Sequence, residues 1–172
     1  MKKLYRMMLA VVMIAAMALP VMASPSPEAE TISLSESVTT PVKGVLPEEP
    51  SKELSDEVVR VTSNAQVLTD LNVSSSAHLA ATIDVSFDGT IPAGGIQVPF
   101  NVSAFAKKGD LVYILHRRPF APYQWEVVGQ TIVGDDLTAT GTFTSFSPVA
   151  FMVLDASQVK SAGVKSPKTG EY

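Results

Sequence analysis

With 172 residues, 46% of them apolar, the chain is long enough to bury one hydrophobic core of its own. Its 13 basic and 17 acidic residues exclude the phosphate-neutralising surface on which nucleic-acid binding rests; without a leader that contains Lys2, Lys3 and Arg6, 10 bases face 17 acids, a net charge of −7. The absence of Cys excludes disulfides, thiolate metal sites, a thiol nucleophile and a lipid-anchored Cys, so the stability of an exported form rests on packing.

Residues 1–23 read as a secretory signal peptide: a basic start, an apolar run of 13 residues from Met7 to Leu19, Pro20, and small residues before a cut between Ala23 and Ser24. A membrane-spanning helix needs roughly 18 to 20 apolar residues, so the run is too short to act as an anchor. Residues 24–52 hold five prolines among many Ser, Thr and Glu, and are expected to form a disordered linker or stalk. Thr31–Val38 alternates, and its alternative reading is an edge strand.

The composition changes near Leu54, and residues 53–156 are assigned to the folded domain. Glu57–Val61 is a candidate first strand, followed by a short helical turn in which Val67, Leu68 and Leu71 share one face. Ala81, Ile83, Val85 and Phe87 alternate with polar residues, as do Ile96, Val98, Phe100 and Val102. Pro99 places the second of these strands at an edge or a bulge, because it has no N–H to donate. Leu111–Leu115 and Val149–Leu154 are apolar on both faces and predict strands covered on both sides. Trp125, Val127 and Val128 form the strand that returns from the 116–125 turn. Leu137, Ala139, Gly141 and Phe143 alternate with threonines. Six to eight short strands with almost no helical period predict an all-β, antiparallel sandwich of one domain, Ig-like or ZU5-like. Residues 157–172 form a second polar tail.

The strongest binding candidate is the turn from His116 to Trp125. Arg117 and Arg118 supply planar donor forks, and Phe120, Tyr123 and Trp125 supply flat faces on which a sugar or peptide can stack. The alternative makes Tyr123 and Trp125 hairpin core and the arginines a solvated tip. His78 and His116 lie far apart, and Asp84, Asp88, Asp135 and Asp136 lack the spacing of a calcium loop, so neither a metal nor a cofactor is expected. Ser74, Ser75 and Ser76 near His78 form no recognisable triad. An enzymatic reading requires His116 within hydrogen-bond reach of a hydroxyl and a carboxylate, and that arrangement would displace a non-enzymatic one.

Ser166, Pro167, Lys168, Thr169 and Gly170 resemble the sortase recognition pentapeptide, with Ser166 where Leu is usual. The resemblance implies that a sortase Cys attacks the Thr169 carbonyl, releases Gly170 and passes the acyl group to a cell-wall amine. Lys107–Arg117, Trp125–Gly129 and Phe143–Phe151 resemble a β-sandwich module of secreted proteins from gut Firmicutes. Phe146–Ser147–Pro148 is similar to the closing strands of self-cleaving ZU5-type and GAIN-type sandwiches, in which a His precedes the Phe-Ser step. Ser145 stands at that position, so the Ser147 hydroxyl is expected to lack a base and the chain to stay unbroken there. The leading expectation is an exported or wall-attached, non-enzymatic Gram-positive surface protein that contacts carbohydrate or protein. A small hydrolase or self-processing domain, and a structural spacer or pilus-type subunit, are the alternatives.

Overall fold

The computed structural model describes residues 38–122 and 124–161. The signal-peptide cut at Ala23 and Ser24, most of the expected linker, Tyr123, and the sortase-like residues Ser166–Gly170 lie outside them. Seven strands are present among the described residues, all paired antiparallel. They are β1 (Val45–Glu48), β2 (His78–Phe87), β3 (Ile96–Asn101), β4 (Leu111–Arg117), β5 (Trp125–Ile132), β6 (Thr138–Phe143) and β7 (Val149–Leu154). One sheet has the order β1-β2-β7-β4-β5, and a two-stranded sheet pairs β3 with β6. This is the antiparallel β-sandwich that the strand periods predict.

The two faces of the large sheet are buried in different ways. Val112 and Ile114 of β4, with Val149, Phe151 and Val153 of β7, meet Val98, Phe100, Ala139 and Phe143 of the small sheet. The opposite faces of the same strands, Leu111, Tyr113, Leu115, Ala150, Met152 and Leu154, are covered by Val58, Leu68 and Val159 from helices. These helices are α1 (Lys52–Thr62), α2 (Ala65–Asp70) and α3 (Ala156–Ser161). Every residue of β7 is buried, which explains an apolar run with no period of two.

Three expectations need correction. Glu57–Val61 is helical, within α1, despite its β-branched valines. Leu54, Val58 and Thr62 recur at helical spacing on the buried face, and the Ser51 hydroxyl caps the start by accepting from Leu54 N at 3.3 Å. Burial of one face therefore outweighs a weak strand propensity. The ordered domain also reaches back into the stretch expected to be linker. Val45–Glu48 pairs with Phe87–Asp84, Val38 and Val45 enter the core, and Thr39 bridges Asn101. Pro47 is tolerated because β1 is an edge. At the other end, α3 extends beyond the expected boundary at 156: the Asp110 carboxylate accepts from Ala156 N at 2.9 Å, and Val159 is buried.

Gly129 decides how closely the two sheets approach. A Cβ there would lie 2.9 Å from Gly141 Cα and closer still to the Thr140 carbonyl, so only glycine lets β5 rest on β6. Nearby, the β4–β5 register slips between Ile114 and Leu115, where Ile114 faces Gly129 and Leu115 faces Val127. This bulge leaves Val128 unpaired and sets Glu126 opposite His116.

Phe151 stands at the centre of the inter-sheet core, edge-on to Phe100 at 5.3 Å and tilted against Phe105 at 5.5 Å. Phe151→Ala is expected to destabilise the domain by about 3–5 kcal/mol, read as a lower urea midpoint. An unchanged midpoint would contradict the placement of Phe151 in a closely packed core.

Candidate functional site

His116 occupies the inward parity of β4, in step with Val112 and Ile114, at the point where the apolar run gives way to the 117–125 turn. A fully buried imidazole must find partners for both nitrogens, since an unpaired buried polar group costs about 1–3 kcal/mol. It finds one on each side. Nδ1 lies 3.1 Å from Glu126 Oε1 on β5, and Nε2 lies 3.1 Å from Ser147 Oγ in the segment between β6 and β7. The ring edge packs on Phe143 at 5.6 Å. Glu126 is held in turn by the Arg118 fork, whose Nε and Nη2 donate to Oε2 at 2.9 and 2.7 Å. Arg118, Glu126, His116 and Ser147 thus form one continuous line.

The Ser147 hydroxyl also approaches the Arg117 carbonyl oxygen. It has one proton and faces two acceptors, that carbonyl and a bare Nε2. All contacts in the line become hydrogen bonds at once only if the imidazole carries both protons. With a neutral ring protonated on Nδ1, the Nδ1–H donates to Glu126, and the single Ser147 proton goes either to the Arg117 carbonyl oxygen or to Nε2. Burial pushes the His116 imidazole down from its ordinary range, aided by the Arg118 charge, against the opposing pull of Glu126. Burial acts on Glu126 in the raising direction, but the hydrogen bonds from Arg118 and His116 and the Arg118 charge outweigh it and hold the carboxyl low. A neutral imidazole thus lies between a carboxylate held low and a hydroxyl, each 3.1 Å away.

An imidazole does lie beside Ser147, and it comes from β4, 31 residues upstream, and not from position 145. Sequence separation hid the pairing. Its visible trace was a lone His at the inward parity of a doubly buried strand, with Glu126 at the inward parity of the returning one.

A groove of about 500 Å³ runs past Ser147. Its walls include Phe87, Ile91, Pro119, Phe146 and Pro148, with Asp84 as the carboxylate on its wall. Phe146 stacks on Phe143 at 5.4 Å and tilts against Phe87 at 5.2 Å, so the rings behind the groove form a continuous column.

The turn residues singled out for binding do not share one face. The Arg117 side chain points to the helical layer, with Nε 3.0 Å from Glu57 Oε1, and Trp125 Nε1 donates to the same oxygen at 3.3 Å. Glu57 thereby fastens α1 to the ends of β4 and β5. Arg118 serves Glu126 on the opposite face. Phe120 alone among the described aromatic residues of the turn stands free, 81% exposed. Elsewhere, His78 is exposed, Asp135 pairs with Lys108 at 2.6 Å, and Asp136 accepts from Thr138 Oγ1 at 2.6 Å. Among the described residues no three His, Asp or Glu side chains converge on a metal position.

The pH dependence has a definite sign. An unfolded histidine takes up a proton near its ordinary value of 6.5, before the buried His116 does, so the stability contributed by the neutral ring is present above that pH and lost below it. Glu126, held low in the fold, contributes above its ordinary value near 4.5 and acts in the same direction as pH falls. The melting temperature is expected to fall between pH 7.5 and 5, whereas His116→Gln, less stable at pH 7.5, should give a flatter profile. Parallel profiles would contradict a buried neutral His116.

Comparison with protein-family models, curated proteins and solved structures returns no match for this chain.

Proposed function

We propose that this protein is an exported β-sandwich, displayed at or released from a bacterial surface, whose chemistry centres on the Ser147 hydroxyl as a hydrolase or self-processing domain. The observation that carries this reading is the line Ser147–His116–Glu126, with both gaps 3.1 Å. It supplies the nucleophile, the base and the group that orients the base. Because Ser147 follows the Phe146 carbonyl directly, the chain's own 146–147 peptide is within the scope of the same hydroxyl. The export leader and the sortase-like Ser166–Gly170 support delivery to the cell surface and attachment there.

A second reading, a non-enzymatic contact module, is favoured by Phe120, an exposed ring at the tip of a turn that also carries Pro119 and Pro122. In that case the His116 line serves only to satisfy buried polar atoms, and Phe120 meets a carbohydrate or protein.

The secreted protein is expected to begin at Ser24 and, on treatment with a serine-directed fluorophosphonate, to gain one adduct that peptide mapping places on Ser147. Fragments divided between Phe146 and Ser147 would support the same reading, with the chain itself as substrate. An intact chain with Ser147 unlabelled would contradict Ser147-centred chemistry and leave the contact module.

A further inference from the structure

Resting on the Ser147-centred reading, we propose that the groove beside Ser147 admits short, uncharged esters and that Ser147 takes their acyl group. Three features of the groove select this class. Its volume, about 500 Å³, falls within the range of small-ligand sites. Its aromatic and proline walls, Phe87, Phe146, Pro119 and Pro148, together with Ile91, suit a short acyl chain, and the one cationic residue of the lining, Arg117, has its Nε 3.0 Å from Glu57 Oε1. Asp84 on the same wall repels a substrate carboxylate.

The reaction balances on groups already in place. Ser147 Oγ forms a bond to the ester carbonyl carbon as its proton passes to His116 Nε2. The carbon–oxygen bond to the alcohol then breaks, and the alkoxide leaves with that proton. In the second half, water adds its oxygen to the acyl carbon and gives a proton to Nε2. The bond to Ser147 Oγ breaks, the proton returns to the serine, and a carboxylic acid departs. Throughout, Glu126 Oε1 holds the Nδ1–H, and the Arg118 fork on Oε2 keeps the carboxylate ionised and in place. Esters fit better than amides because a desolvated imidazole is a weak base, and an alkoxide leaves with less help than an amine anion.

The test measures hydrolysis of p-nitrophenyl butyrate and of its anionic counterpart p-nitrophenyl hemisuccinate by the whole mature chain, with Ser147→Ala as control. Mass spectrometry of the wild-type protein for a butyryl group on Ser147 does not depend on the variant's folding. Butyrate is expected to be cleaved at least about tenfold faster than hemisuccinate, equivalent to about 1.4 kcal/mol of discrimination. The acyl group should map to Ser147. Equal rates for the two esters, or no turnover above the Ser147→Ala level in a protein that fluorophosphonate still labels at Ser147, would overturn the substrate class while leaving the nucleophile. Absence of both acyl transfer and labelling would overturn the nucleophile as well.

Discussion

The fold depends on the burial of β4 and β7 on both faces. A strand that is apolar on both sides cannot face water on either, so the five-stranded sheet must be covered twice. The two-stranded sheet covers one side with Phe100 and Phe143, and the helices cover the other with Val58, Leu68 and Val159. This requirement also accounts for α3, a short helix that the polar tail does not announce. Leu154, Met152 and Leu111 would otherwise meet solvent, and the Asp110 carboxylate fixes the first N–H of the covering helix.

Double burial also sets the conditions for the polar line. His116 lies one step beyond the last apolar residue of β4, on a parity that points between the sheets, where an unpaired ring nitrogen is costly. The bulge in β5 brings Glu126 to Nδ1, and the segment after β6 brings Ser147 to Nε2. One imidazole thus ties the β4–β5 hairpin to a segment 31 residues further along the chain. The same geometry that satisfies a core histidine leaves the serine beside a groove, so a structural requirement and a chemical opportunity share the same atoms.

Much of the architecture was legible in the sequence because it follows from the period of two. The alternation of Ala81, Ile83 and Val85, and of Val98, Phe100 and Val102, matches their burial, and Pro99 does lie in a strand with only one full neighbour. The helix over Val58 and Val61 was misread as a strand because three valines in five residues favour one locally, whereas the signal for the helix, Leu54, Val58 and Thr62 behind a Ser51 cap, spans a longer window. The β1 strand was hidden by Pro47, which an edge permits. The turn was read as a cluster because its residues are adjacent in sequence. Alternation sends Arg117 to the helices and His116 to the interior, and that separation is visible only once register is known.

The protonation pattern of the His116 ring tests the central claim most directly. Long-range nitrogen–proton correlation spectra at neutral pH, with the exposed His78 as internal reference, distinguish the two ring nitrogens. A single proton on Nδ1, shifted far downfield by Glu126, and a bare Nε2 facing Ser147 is the pattern this account predicts. A proton on Nε2, whether in the other neutral tautomer or in a charged ring, would show that Ser147 gives its hydrogen to the Arg117 carbonyl and has no base.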